Sequence, residues 1–164
     1  MKKIAISFIL LGCSSVPLTG RRQLNLVSDQ EVLALSNQSF SDYMKTAKVS
    51  TDYMKTLQVA RVGQRIANAV MSFLRNNGMT ADAASYNWQF NDNTPNAFCM
   101  PGGKVVVNTG ILPYTLDDDG LAVVLGHEIA HAVAKHSSER ISQQMLVQYG
   151  GVALNTLMQN KSDA

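Results

Sequence analysis

The chain has 164 residues, which suits one domain with a short N-terminal extension and is too few for two full domains. Apolar residues make up 46% and charged residues 16%, so a core can form and a disordered low-complexity chain is excluded. The formal net charge is only +2 and no basic stripe is present, which excludes nucleic acid as an expected partner.

The N-terminus has the pattern of a secretory signal. Lys2 and Lys3 precede a mostly apolar run over residues 4–11, which is too short for a membrane span of about 20 residues. The run ends in Gly12-Cys13, which resembles the lipobox of bacterial lipoproteins. This resemblance implies a signal peptide over residues 1–12 and lipidation of Cys13. The alternative is a short signal peptide followed by an unrelated cysteine.

The lipobox resemblance also implies a location. Ser14, rather than an aspartate, follows Cys13, so we expect a lipoprotein of the bacterial outer membrane that faces the periplasm through its lipid anchor. A lipidated Cys13 leaves Cys99 without a disulfide partner. Cys99 lies in an apolar stretch and is expected to be a buried small side chain, which disfavours a thiol protease.

The first half of the chain predicts a tether and two helices. Residues 13–27 lack a clear period and are interpreted as a tether. Ser28 and Glu31 fit a capping box at the start of a helix over residues 29–47. A second helix is predicted over residues 52–76, where an Asn-Asn-Gly sequence ends it.

Strand patterns begin near residue 85. Apolar and polar residues alternate over 86–91, which is typical of a half-buried strand. Two further strands are predicted over residues 97–100 and 104–109. A Pro-Gly-Gly turn joins them, so the pair is predicted to form a hairpin.

Three consecutive acids, at positions 117–119, precede the next apolar run. Acidic side chains oppose the macrodipole at a helix N-terminus, so they predict the start of a helix over about 118–149. A calcium site built from the same carboxylates is the alternative, but it would need further oxygen ligands.

All three histidines of the chain lie within this predicted helix. His127, Glu128 and His131 form an H-E-x-x-H sequence. Residues four apart on a helix differ by about 40° in direction, so both imidazoles can bind one zinc ion at about 2.0–2.1 Å. Glu128 would then act as general base on the zinc-bound water. The alternative, ordinary core histidines, does not explain this spacing.

The stretch from 96 to 140 resembles the CAAX-prenyl-protease and HtpX type of zinc metallopeptidases, peptidase family M48. Residues 19–24 further resemble the periplasmic lipoprotein branch of that family. The matching pieces are Asn96-Ala97-Phe98, Pro101-Gly102-Gly103, Asn108-Thr109-Gly110-Ile111-Leu112, Leu125-Gly126-His127-Glu128-Ile129-Ala130-His131, His136 and Arg140.

The resemblance implies an α+β, mostly helical domain over residues 28–164. In such a gluzincin-like fold a small antiparallel sheet packs over the long helix that carries the motif. Substrate would add as a strand beside Asn96, Ala97 and Phe98. His136 lies about 140° from His131 on a continuous helix, so it is interpreted, with Arg140, as supporting or packing against the ligands.

A catalytic zinc ion usually has three protein ligands, and the family takes its third from a glutamate on a later helix. The one glutamate after the motif is Glu139, about 12 Å from His131 along a continuous helix and out of reach unless that helix breaks. Glu31 could reach the site only through long-range folding. We therefore expect one zinc ion per chain, no third ligand within residues 1–164, and a chain that is the N-terminal part of a protease.

Two classes of function follow. The first is a zinc-dependent metalloendopeptidase that hydrolyses unfolded or misassembled cell-envelope proteins. The second is a non-catalytic envelope lipoprotein that binds polypeptides or scaffolds an assembly. A small heme or metal carrier that uses the histidines is a third and weaker hypothesis, because further ligands are not evident.

Overall fold

Five strands, five α-helices and a short 3₁₀ helix at Thr109–Ile111 lie in the part of the chain that the computed structural model describes, residues 13–16, 20–78, 87–91 and 93–148. The α+β, mostly helical fold class is confirmed. In chain order the elements are β1 (Cys13–Ser15), β2 (Arg22–Leu24), α1 (Asp29–Thr46), α2 (Tyr53–Asn76), β3 (Asn87–Asn91), β4 (Ala97–Met100), β5 (Lys104–Asn108), α3 (Leu112–Thr115), α4 (Asp118–Val133) and α5 (136–148).

Helices α1 and α2 begin where their capping residues predict. The Ser28 hydroxyl accepts the N–H of Glu31 at 3.2 Å, and the Glu31 carboxylate accepts the N–H of Ser28 at 2.8 Å. This reciprocal pair satisfies backbone donors that the first turn of a helix leaves free. Asp52 caps α2 through a single bond, its carboxylate accepting the N–H of Lys55 at 3.1 Å. Both predicted helices are confirmed.

A three-stranded sheet contains the predicted hairpin. Strands β4 and β5 pair in antiparallel fashion around the loop that holds Gly102 and Gly103. These glycines have φ values of 82° and 75°, a backbone conformation that side-chain-bearing residues rarely adopt. Strand β3 pairs with β5 in parallel, so β5 is the central strand and β4 lies at an edge.

The core forms where β5 meets α2 and α4. Leu121, Leu125 and Ile129 are spaced four apart on α4, so they share one face of that helix. The buried cluster consists of Val59, Val62, Val105, Val107, Leu121, Leu125 and Ile129. Burial of this cluster fixes α4, and therefore the motif, against the sheet.

The acidic residues before α4 begin the helix, as predicted. Asp117 caps it by accepting the N–H of Gly120 at 2.9 Å. Asp118 binds Arg61 of α2 at 2.8 Å, and the hydrogen bonds from Arg61 lower the pKa of the Asp118 carboxyl. These contacts leave the calcium alternative without support, because the Asp117 and Asp118 carboxylates are engaged by a helix terminus and an arginine.

Residues 13–27 were expected to be a tether, and the described part of this segment is instead folded. Strands β1 and β2 pair in antiparallel fashion, and Val16 and Gln23 are each only 2% exposed. The structure describes the backbone of Cys13 but not its side chain, and residues 1–12 lie outside the described residues. The signal peptide and the lipidation of Cys13 stay predictions.

The prediction of one continuous helix over 118–149 is wrong. Helix α4 ends at Val133, and Lys135 has a positive φ of 55°, which a right-handed helix does not accommodate. Helix α5 then begins at residue 136. No glycine or proline marks this break, and contacts from the N-terminal segment, described below, hold the second helix in its direction.

Gly110 allows a close approach between the turn after β5 and the chain before β4. A Cβ atom at Gly110 would lie 2.0 Å from the carbonyl oxygen of Asn93, whereas one at Gly126 would meet no atom within 4 Å. We expect Gly110→Ala to lower the free energy of unfolding by about 1–3 kcal/mol, because the backbone must move. Gly126→Ala, the matched control in α4, is expected to raise it by up to about 1 kcal/mol. Chemical denaturation checks both, and equal effects would contradict the close approach.

Candidate metal centre

The motif residues of α4 point away from the core face of the helix. His127 and His131 share a face that lies roughly 140° around the helix from the buried leucines. Both histidines are exposed, and Glu128, which projects between the two faces, is partly buried. The buried face and the face that carries the two histidines are therefore different sides of one helix.

His127 and His131 each direct Nε2 towards a shared point between the two rings. The Nε2 atoms of His127 and His131 are 3.0 Å apart, and the ring planes are nearly perpendicular at 85°. Two nitrogens bound to one tetrahedral zinc ion at about 2.0–2.1 Å lie roughly 3.4 Å apart. The zinc ion that the motif implies therefore fits these two nitrogens if their separation increases by a few tenths of an ångström.

His136 contacts the other nitrogen of His131. The Nδ1 atoms of the two rings are 2.5 Å apart, on the side of the His131 imidazole opposite to Nε2. His136 therefore does not face the point that His127 and His131 share. Arg140 is exposed, and no hydrogen bond or ion pair joins it to another of the described residues, so its role beside the ligands stays a prediction.

The two glutamates considered as third ligands are engaged elsewhere. Although the helix does break, Glu139 binds the guanidinium group of Arg21 at 3.1 and 2.5 Å, and these hydrogen bonds lower the pKa of Glu139. Glu31 is part of the capping box of α1. Within the described residues no group of three or more His, Cys, Asp or Glu side chains is placed to hold a metal ion.

Strand β4 borders the motif helix. Helix α4 packs against β4, and the charge of Glu128 reaches Cys99 of that strand. Burial, and secondarily the Glu128 carboxylate, raises the pKa of the Cys99 thiol to about 12. The thiol is therefore protonated at neutral pH, in agreement with its predicted packing role and against a thiol protease.

The three predicted substrate-contact residues lie at or beside this edge strand. Asn96 is exposed, and its carbonyl accepts the N–H of Asn108 at 2.9 Å, which extends the hairpin by one bond. Ala97 is buried, and Phe98 packs edge-to-face on Tyr43 with ring centroids 5.5 Å apart. Among the described strands, β4 pairs only with β5, so its other edge is unpaired there.

Sequence reasoning missed the residues that hold α5 beside the motif. Arg21, Leu26 and Asp29 contact side chains that lie 118, 116 and 106 positions further along the chain. No local pattern encodes pairings at such separations. Two signals pointed to this segment, the two arginines at positions 21–22 and the family resemblance of residues 19–24, but neither indicated which residues it contacts.

Comparison with known proteins identifies the family of this sequence. The sequence pattern described as Peptidase family M48 matches residues 55–163, which is more than half of the chain. The chain belongs to peptidase family M48. Membership confirms the family resemblance that the motif and its neighbouring sequence predicted.

Several curated relatives of this M48 chain are metalloendopeptidases by name. The mitochondrial metalloendopeptidase OMA1 of Schizosaccharomyces pombe is 39% identical over 134 residues, which cover 77% of this chain and 36% of the relative. The human mitochondrial metalloendopeptidase OMA1 is 30% identical over 87% of this chain and 27% of its own length. The β-barrel assembly-enhancing protease of Yersinia pestis is 34% identical over 42% of this chain and 15% of its own length. The chain thus spans about a third of the fission-yeast relative and less of the others.

These M48 relatives correct the predicted location. The yeast, bovine and human relatives are mitochondrial by name, so the prediction of a bacterial outer-membrane lipoprotein facing the periplasm is wrong on this comparison. In the described part of the chain, no helix combines the length and the apolar character that crossing a membrane requires.

Proposed function

We propose that this chain carries the catalytic base and two metal ligands of a zinc-dependent metalloendopeptidase that cleaves unfolded or misassembled polypeptides. The observation that carries the proposal is the approach of the His127 and His131 Nε2 atoms to 3.0 Å on an exposed helix face. Family membership supports the same reaction class. A pair of core histidines would not need an exposed face or a shared direction.

The metal ligands in this proposal are His127 and His131, each through Nε2. When bound, a zinc ion supplies Lewis acidity: it lowers the pKa of a water molecule towards about 7 and polarises a carbonyl group. The exposed position of both imidazoles leaves room beside them for a water molecule and a peptide.

Glu128 is proposed as the general base. Its position beside His127 turns it away from the shared point of the two Nε2 atoms and towards β4, where its charge acts on Cys99. From there its carboxylate can accept a proton from the attacking water molecule and pass it to the leaving amine. A carboxylate that bound the metal directly would not be free for this transfer.

The edge of β4 is proposed to bind the substrate backbone. Alternate N–H and C=O groups of an edge strand point away from its partner and can pair with an added strand. This mode of capture needs an extended peptide, which a folded protein does not offer at most positions. Asn96, Ala97 and Phe98 would supply the contacts, and preference for unfolded polypeptides follows from the backbone pairing.

Zinc removal tests the proposed function. We expect the full-length protein to contain one zinc ion per chain, to cleave an unfolded protein such as casein, and to lose cleavage after dialysis against a chelator. Added zinc should restore cleavage, and His127→Ala should neither retain zinc nor respond to it, since one imidazole holds the ion far more weakly. A serine-protease inhibitor serves as the control and should change nothing.

Two results would contradict this function. Cleavage that persists in the metal-free protein would show that hydrolysis does not depend on the histidines. A zinc-loaded protein that binds unfolded polypeptide without cleaving it would instead support a polypeptide-binding role, which is the non-catalytic alternative.

A further inference from the structure

The break between α4 and α5 brings His136 to His131. On a continuous helix these residues would diverge by about 140° and be separated by roughly 7.5 Å along the axis. Lys135, with its φ of 55°, turns the chain so that the two Nδ1 atoms lie 2.5 Å apart. The contact exists because of the break and not because of helical spacing.

The two nitrogens of His131 have separate partners. Its Nε2 faces His127 and its Nδ1 faces His136. A metal ion binds a ring nitrogen that carries no proton, so a neutral His131 that binds zinc through Nε2 must carry its proton on Nδ1. That N–H then donates to Nδ1 of His136, whose own proton is on Nε2. Such a bond fixes both the tautomer and the ring orientation of a ligand.

Three contacts from the N-terminal segment hold α5 in this position. We call Arg21, Leu26 and Asp29 the N-terminal clamp. Arg21 binds Glu139 through two hydrogen bonds, and Asp29 binds Lys135 at 2.6 Å, directly at the break. The N–H of Leu26 donates at 2.8 Å to the hydroxyl of Ser142, a residue that is fully buried.

We infer that His136 is a positioning residue for the zinc ligand His131, and that the N-terminal clamp keeps it in place. The inference rests on the proposed zinc site and adds to it a residue that does not touch the metal or the substrate. It also gives the segment before α1, together with the first residue of α1, a role in the metal centre, although these residues lie far from the motif in sequence.

A matched pair of variants tests the hydrogen bond from His131. In His136→Asn, the amide oxygen stands near the position of Nδ1 and can still accept the bond, whereas His136→Leu removes the acceptor and keeps an apolar side chain. We expect His136→Leu to weaken zinc affinity by about 10–100-fold and His136→Asn to remain close to the original protein. Competition with a chromophoric chelator, on the full-length protein, measures both affinities.

The metal-free protein provides a readout that does not depend on activity, and its deciding result comes from the original protein and not from a variant. Nitrogen chemical shifts of ¹⁵N-labelled histidine distinguish which ring nitrogen carries the proton. We expect the proton of His131 on Nδ1 in the metal-free protein and a mixture of tautomers in His136→Leu. A proton on Nε2 of His131 in the original protein would overturn the inference.

The clamp is tested by Arg21→Gln with Lys45→Gln as its control. Lys45 forms an exposed ion pair with Asp42 within α1, so both variants remove one surface pair. We expect Arg21→Gln to weaken zinc affinity in the same direction as His136→Leu but less, and Lys45→Gln to leave it unchanged. Equal affinity in both variants would overturn the role of the clamp. If the original protein and His127→Ala both fail to bind zinc, the proposed function itself fails, which is a different outcome.

Discussion

Replacing Glu128 with glutamine is expected to lower the rate of polypeptide cleavage by about 10²–10⁴-fold while zinc stays bound. Glutamine has nearly the shape of glutamate but does not accept a proton at neutral pH. The two Nε2 atoms that face each other at 3.0 Å belong to His127 and His131, so the metal ligands are untouched by this change. Zinc content and cleavage of unfolded protein, measured on the same samples, check the result.

Glu31→Gln is the matched control for this prediction. It makes the same chemical change in the capping box of α1, where glutamine also serves, so cleavage should be unchanged. A Glu128→Gln protein that keeps its original rate would refute the assigned base. One that loses its zinc would instead make Glu128 a ligand.

Shortening the Leu125 side chain to alanine is expected to lower the free energy of unfolding by about 2–5 kcal/mol. Leu125 is completely buried between α2 and β5, so Leu125→Ala removes apolar contacts and leaves a cavity. Val123 lies on the same helix but is 73% exposed, and Val123→Ala should change stability by no more than about 0.5 kcal/mol. Urea unfolding of both variants provides the comparison, and similar midpoints would contradict the packing of α4 described above.

The sequence predicted those parts of the fold that local chemistry encodes. Ser28 with Glu31 predicted the start of α1, and the three acids at 117–119 predicted the start of α4, because capping and helix-dipole interactions act within the first turn of a helix. The Pro-Gly-Gly loop predicted the β4–β5 hairpin, because these residues favour a tight turn at their own position. The H-E-x-x-H spacing likewise predicted the convergence of His127 and His131.

Other parts depend on contacts that no local pattern reveals. The parallel pairing of β3 with β5 depends on how separate segments dock, and the short β1–β2 pair has no alternating pattern that would predict it. The break at Lys135 was missed because a lysine gives no signal for a positive φ. The direction of α5 after the break depends on contacts with Asp29 and Arg21, which lie more than 100 positions away in sequence. The predicted position of His136 therefore assumes a continuous helix that the structure does not contain.

At position 135, thermal stability and the proposed zinc site favour different residues. A left-handed backbone conformation costs a residue with a side chain roughly 1 kcal/mol, and glycine would adopt it freely. Selection for thermal stability alone would thus favour glycine over Lys135. Glycine would also remove the ammonium group that binds Asp29. It would make the backbone between α4 and α5 more flexible, which would weaken the contact between His136 and His131. In libraries screened only for melting temperature, we therefore expect gains at this position to come with weaker zinc retention.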